Sequence, residues 1–307
     1  MHGGTAANNA PMRSGKVGLP FPYDQDLTGI VTRVKGKREA TRTALVNSPK
    51  VAAYLRAGAT LVDHNLGVGG DAAGDATGKP SWSGIRFLTE RAVVAEMENN
   101  PPPFLSQKGD GPFRATWASH DDYTHDLLAF LFHAMNYEPQ YGEGPQTRAD
   151  WLATDPSFAS AVDRASYGEL AELCRMPLFR LQLIMVAGAE RNNGIHDTIA
   201  DNYGGALEPW QKIYESTFAI RGFQLRPGIT AEEITSILAA LAEGFALRHL
   251  GDPGAGILGN GAAGNLFGKA ILGILHSYLE PKAEPTGRSL RADFDERADW
   301  ARRDAGS

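Results

Sequence analysis

Histidine and aspartate side chains between residues 120 and 133 form the densest set of potential metal ligands in the sequence. The set comprises His120, Asp121, Asp122, His125, Asp126 and His133. Asp122 and Asp126 share one helix face, because they are four positions apart, but successive histidines of the three are five and eight positions apart. Ligands that converge from one helix need separations of three or four residues. We therefore expect capping and packing roles here, and no metal site.

Two glycine patterns resemble nucleotide-binding loops. Gly254, Gly256 and Gly259 match G-x-G-x-x-G. That loop works between a strand and a helix, whereas the residues before Gly254 have a helical pattern, so we predict a flexible loop between helices. Gly78 and Lys79 approximate a phosphate-binding loop, but proline follows where the magnesium-binding hydroxyl should be. No cofactor is expected.

The single cysteine, Cys174, lies in an apolar run and is expected to be a buried, inert thiol. One cysteine excludes an internal disulfide and favours a reducing compartment such as the cytoplasm. We expect neither a signal peptide nor a membrane span, because no segment has the required apolar length. No nucleophile and base stand out as a pair, so the sequence predicts no catalytic residues and no enzyme.

Charge is distributed unevenly along the chain. Of 30 Lys and Arg and 36 Asp and Glu, residues 1–120 hold 14 and 10, a net of +4, and the remainder holds 16 and 26, a net of −10. A basic front on an acidic body is typical of a nucleic-acid-binding module joined to another module, although chance variation of surface charge also produces it. Residues 31–43 are expected to form a flexible arm that contacts DNA, or else a solvated surface run. Its basic residues are Arg33, Lys35, Lys37, Arg38 and Arg42.

Local signals predict an all-α fold. Ser48 before Pro49 starts a helix that ends at Gly67, a second helical region covers 82–98, and Ser119 caps a third helix. Apolar periodicity and helix breakers predict further helices at 156–175, 178–191, 195–223, 231–250 and 262–279, and no convincing alternating strand. We expect residues 1–30 to be a disordered leader and 281–307 to be a flexible tail.

Two segments resemble the TetR (tetracycline-repressor-like) family. The run 113–122, Phe-Arg-Ala-Thr-Trp-Ala-Ser-His-Asp-Asp, resembles the end of that family's recognition helix and the Ser-capped helix that follows it. Arg114 stands in the family's tyrosine place and Thr116 in its histidine place. The run 230–253 resembles the helix through which many members dimerise, and residues 234–278 present broad apolar faces suited to a bundle between subunits.

The resemblance implies a DNA-binding helix-turn-helix domain of three helices at 31–118 and a helical ligand-binding and dimerisation domain at 119–280. A homodimer formed through 230–279 would place two recognition elements in successive major grooves of double-stranded DNA. Lys50, Lys108 and Arg114 would contact phosphates, and Ser106 and Gln107 would contact base edges.

The resemblance also implies a repressor that a small-molecule effector releases from DNA. The central helices offer an apolar pocket with His196 or Tyr214 as its polar anchor, although each of its residues also suits ordinary core packing. The predicted lining is Met176, Phe179, Met185, His196, Trp210, Tyr214 and Phe218. The alternative function is a dimeric ligand-binding or scaffolding protein that has lost DNA recognition, because glycine and proline at 109–112 interrupt the start of the recognition helix.

Overall fold

The protein is described by a computed structural model covering residues 18–36, 38–67, 85–105, 109–133, 144–189, 193–259 and 261–305. Most of these residues are helical, which confirms the all-α prediction. The helices are α1 (Glu39–Val46), α2 (Pro49–Leu66), α3 (Glu90–Asn99), α4 (Gly111–Thr116), α5 (His120–Leu131), α6 (Gly144–Thr154), α7 (Phe158–Arg175), α8 (Pro177–Ala189), α9 (Asn193–Ile220), α10 (Ala231–Gly251), α11 (Leu266–Tyr278) and α12 (Leu290–Ala305). In the described part of the chain, no helix is long and apolar enough to cross a membrane.

Side-chain caps define several helix starts at or near the predicted positions. The Ser48 hydroxyl accepts a hydrogen bond from Val51 N, and the Ser119 hydroxyl accepts one from Asp122 N. Thr230 and Glu233 form a reciprocal capping box at the start of α10. These contacts satisfy N–H groups that have no partner within the first turn, which is why short polar residues mark helix starts.

The chain divides into two compact units. The first unit comprises Met1–Asn136 and Met176–Asn202, and the second comprises Tyr137–Arg175 and Tyr203–Ser307. This division differs from a boundary at residue 118, because α5 packs on α2 within the first unit, where Tyr123 Oη donates to the Tyr54 carbonyl at 2.9 Å.

An aromatic cluster forms the core of the first unit. Tyr54, Phe113, Trp117 and Tyr123 are all at most 1% exposed, and their neighbouring ring centroids lie 4.9–5.9 Å apart. Gly58 permits this approach, since a Cβ atom there would overlap the Tyr123 hydroxyl. Helix α4 has only six residues and ends at Thr116, and the next residue, Trp117, has an extended backbone. A recognition helix in the predicted place is therefore short.

Residues 18–36 are ordered against this core, unlike the predicted leader and arm. Tyr23, Leu27, Val31 and Val34 are buried, and Val34 forms an isolated antiparallel bridge with Trp117. Apolar residues that show no helical periodicity thus pack against residues distant in the sequence. Residues 1–17 and 37 lie outside the described part.

In the second unit, α7 packs against α6, α10 and α11. Two short antiparallel strands, β1 (Phe223–Leu225) and β2 (Leu279–Pro281), pair with Gln224 opposite Glu280. Neither strand is predicted by the sequence pattern, because three residues are too few to reveal alternation. The predicted flexible tail instead contains α12, and Asp293 of that helix lies 3.4 Å from the guanidinium of Arg226.

Candidate ligand-binding cavity

A cavity of about 60 Å³ lies within the second unit, among helices α6, α7, α9, α10 and α11. Side chains from all five helices line the space. The aliphatic and phenyl wall includes Leu152, Phe158, Val162, Leu238, Ile271 and Leu275. Because one water requires roughly 10–15 Å³ of such space, the cavity has room for a few waters or a small organic group.

A ladder of aromatic rings on α9 forms another wall. Trp210, Tyr214 and Phe218 stand four residues apart and therefore project from one helix face. The Trp210 and Tyr214 ring centroids are 5.8 Å apart, and those of Tyr214 and Phe218 are 6.3 Å apart. Stacked rings present a flat apolar surface suited to an aromatic or aliphatic molecule.

A buried arginine closes the polar end of the cavity. Arg148 of α6 is only 7% exposed in its side chain, and its Nη2 lies 2.9 Å from Glu169 Oε2 and 2.8 Å from Glu172 Oε2, both on α7. Its guanidinium also lies 5.9 Å from the centre of the Trp210 ring. The cation is thus held by two carboxylates and one aromatic face.

Burial perturbs two titratable groups at this end. Removal from water raises the pKa of Glu169 to about 7; Arg148 opposes the change and Glu172 adds to it. The pKa of Tyr214 is raised as well, first by burial and then by the negative charge of Glu169. A carboxyl that titrates near neutrality accepts a hydrogen bond when ionised and donates one when protonated.

Two polar atoms at this end have no hydrogen-bond partner among the described residues. They are Arg148 Nε, a donor, and Glu169 Oε2, which makes the ion-pair contact with Arg148 but has no hydrogen bond of acceptable geometry. Buried polar groups are usually paired, so this donor and acceptor are capable of holding a ligand or water molecule.

The cavity brings together three of the seven residues predicted to line a ligand pocket. Trp210, Tyr214 and Phe218 line it. The other four, Met176, Phe179, Met185 and His196, belong to the first unit. There α8 packs on α2, where Arg180 Nη1 donates to the Leu66 carbonyl at 2.7 Å.

Sequence reasoning missed the two charged residues that give the cavity its chemistry. Arg148 and Glu169 lie on helices whose sequences contain many polar residues, and a charged residue on such a helix is normally assigned to its solvated face. No local pattern distinguishes a charge that becomes buried. The burial of Cys174, in contrast, is confirmed.

Several predicted DNA-binding residues have structural contacts in the first unit. The N–H groups of Thr32 and Arg33 donate to the Asp126 carboxylate, and Lys35 Nζ donates to the Arg114 carbonyl at 2.6 Å. The guanidinium of Arg114 lies 2.8 Å from Glu90 and 3.0 Å from Asp110.

The remaining predicted residues differ in exposure. Arg38 is exposed and precedes α1, Arg42 of α1 pairs with Glu39 at 3.1 Å, and Lys50 of α2 is half-buried. Thr116 is fully buried and donates its hydroxyl proton to the Pro112 carbonyl, so its side chain is turned into the protein. The predicted residues Lys37, Ser106, Gln107 and Lys108 lie outside the described residues.

The aspartate in the predicted acidic and histidine set has a structural role. Asp126 is fully buried and accepts hydrogen bonds from Thr32 N, Arg33 N and Trp117 Nε1. Burial raises the pKa of Asp126, and these three donors oppose that change. Across the described ranges, no three His, Cys, Asp or Glu side chains are grouped to hold a metal ion.

Comparison of the chain with protein-family models, with curated proteins and with solved structures found no match.

Proposed function

We propose that the protein binds a small, mainly apolar molecule in the cavity of its second unit. The observation that carries this proposal is the pairing of an aromatic and aliphatic wall with an ion pair at one end, between the buried Arg148 and the partly buried Glu169. Ligand sites are characteristically apolar spaces with a few convergent polar groups. The wall would supply affinity, and the ion pair would orient the ligand.

Filling the cavity tests this proposal. Ala165 lines the cavity on α7, so Ala165→Leu removes space, whereas Ala240→Leu makes the same change at an exposed position of α10 and serves as the matched control. Fragments that raise the melting temperature of the natural protein should act on Ala240→Leu and lose their effect on Ala165→Leu. Equal stabilisation of both variants would place binding elsewhere and contradict the proposal.

We propose as a second function that the first unit binds double-stranded DNA, so that the whole chain is a ligand-controlled transcriptional regulator of the TetR type. The order of elements favours it. Helices α2, α3 and the short α4 precede α5, whose Ser119 cap was predicted from the local sequence and lies in the run that resembles the family. A ligand in the second unit would change DNA affinity only through different affinities for two states of the protein. The exposed basic residues Arg33 and Arg38 would contact phosphates.

Selection from a pool of random duplexes at moderate salt tests DNA binding. Enrichment of a two-fold-symmetric site would support the regulator and measure its half-site spacing. If the folded protein enriches no site, DNA binding is contradicted and only the ligand-binding function remains.

The regulator would act as a homodimer joined through residues 230–279. Leu247 of α10 and Leu266 of α11 expose 55% and 43% of their surface, which favours an apolar contact with a second copy. Light scattering should report a dimer that Leu247→Glu or Leu266→Glu weakens. Ile220→Glu, a change at an exposed apolar residue outside this region, should leave it intact. Equal effects of all three changes would contradict this interface.

A further inference from the structure

The two polar atoms of the cavity that lack a hydrogen bond, Arg148 Nε and Glu169 Oε2, have complementary properties. Arg148 Nε carries a proton to donate, and Glu169 Oε2 carries lone pairs to accept one. The Arg148 side chain is more than nine-tenths buried, so bulk water does not reach most of it. A bound group that both accepts and donates would satisfy the two atoms together.

The position of Arg148 Nε beside Nη2 brings it near enough to Glu169 Oε2 for a single oxygen to contact both atoms. Arg148 Nη2 lies 2.9 Å from Glu169 Oε2, and Nε is bonded to the same guanidinium carbon as Nη2. One hydroxyl oxygen is therefore able to accept from Nε and donate to Oε2, since each of these bonds spans roughly 2.5–3.2 Å. An ether or a ketone lacks the proton that the ionised Glu169 carboxylate accepts, and a hydrocarbon lacks both functions.

The charges around this point favour a neutral molecule. A ligand carboxylate would face the carboxyl groups of Glu169 and Glu172, and a ligand ammonium would face the guanidinium of Arg148. Either ion would also lose its hydration in an apolar space without a dedicated counter-ion. A hydroxyl uses the existing donor and acceptor and adds no charge.

We propose that the cavity selects a small neutral alcohol or phenol, whose hydroxyl bridges Arg148 Nε and Glu169 Oε2 while its hydrocarbon part lies against Tyr214 and Phe218. This inference rests on the proposed ligand-binding function and specifies its chemistry. The cavity volume of about 60 Å³ limits the buried part of the ligand to a single ring or a short chain.

Calorimetric titration with phenol and toluene tests the role of the hydroxyl, since the two molecules differ by a hydroxyl against a methyl group of similar size. Phenol should bind the natural protein at least tenfold more tightly than toluene. Benzoate and benzylammonium, which carry the two kinds of charge, should bind at least tenfold more weakly than phenol.

Variants of Arg148 and Glu169 test whether the preference for phenol over toluene depends on these two side chains. Arg148→Lys removes Nε but keeps a cation, and Glu169→Leu removes the acceptor. Each should abolish the preference for phenol while toluene still binds. Glu172→Gln changes the other carboxylate beside Arg148, which has no unpaired buried atom, and should keep the preference. Circular dichroism and toluene binding confirm that each variant retains its fold and its cavity.

The outcomes distinguish a failure of the hydroxyl inference from a failure of the proposed ligand-binding function. Equal binding of phenol and toluene, both lost in Ala165→Leu, would overturn the hydroxyl inference and support an apolar ligand site. Tighter binding of either ion would also overturn the inference. Failure of every probe, together with a negative fragment screen, would overturn the proposed function itself. A crystal soaked in phenol that retains only an ordered water on Arg148 Nε and Glu169 Oε2 would overturn the hydroxyl inference at this site.

Discussion

Replacing the buried carboxylate of Asp126 by an amide should loosen the N-terminal segment from the core of the first unit. Asp126 Oδ1 accepts from Thr32 N at 2.8 Å and Arg33 N at 3.0 Å, while Oδ2 accepts from Trp117 Nε1 at 2.8 Å. Asp126→Asn keeps the volume but has only one acceptor oxygen. If that oxygen stays with the two backbone amides, the new NH₂ group opposes the indole N–H.

The size of the effect follows from these three donors. A hydrogen bond to a charged group contributes roughly 1.5–3 kcal/mol, and an unsatisfied buried donor costs roughly 1–3 kcal/mol. The Trp117 donor is buried, whereas Thr32 and Arg33 are exposed residues whose amides regain water. A neutral amide costs less to bury than a charged carboxylate, and this difference offsets part of the lost stability. We therefore expect Asp126→Asn to lower the free energy of unfolding of the first unit by about 2–4 kcal/mol.

Hydrogen exchange measures this change locally. Amide exchange at Thr32 and Arg33 should accelerate by at least tenfold in Asp126→Asn, because their acceptor is weakened. Trp117→Phe removes the indole donor, so the double variant with Asp126→Asn should lose less stability than the sum of the single changes, with a coupling of about 1 kcal/mol or more.

Asp121→Asn provides the control on the same helix. Asp121 is exposed in the first turn of α5, where a charge contributes about 0.3–1 kcal/mol through the helix dipole. The reasoning is refuted if Asp126→Asn costs no more than this control and leaves the exchange at Thr32 and Arg33 unchanged.

Three further predictions concern pH, packing and capping. Burial raises the pKa of Glu169 from its ordinary 4.5 to about 7, so the folded state binds this proton more tightly than the unfolded state does. Stability should therefore fall as the pH rises from about 4.5 to about 7 and then level off, a total loss of at most about 3 kcal/mol. In urea titrations Glu169→Gln should remove this fall, whereas Glu172→Gln, which removes only the smallest cause of the pKa shift, should retain most of it. Gly58→Ala should cost about 1–3 kcal/mol, because its Cβ would overlap the Tyr123 hydroxyl; an unchanged melting temperature would refute that packing. Thr230→Ala should cost about 1 kcal/mol through loss of the capping box, whereas Thr230→Ser should retain most of the stability in the same assay.

Local sequence patterns were sufficient to predict the all-α character and many of the helix ends. The predicted caps Ser48 and Ser119 are caps in the structure, and α10 was predicted within one residue of its observed limits. These features depend on hydrogen bonds and apolar spacing within about four residues, so a short window of sequence contains their causes.

Tertiary structure decided the character of the cavity and the order of the N-terminal segment. Arg148 becomes buried because α7 supplies Glu169 and Glu172, which stand 21 and 24 residues later. Residues 31–34, assigned by composition to a flexible arm, are held by Asp126, which lies 94 positions after Thr32 in the sequence. The cost of burying a charge or an amide depends on the partner that meets it, and no local pattern specifies a partner so distant in sequence.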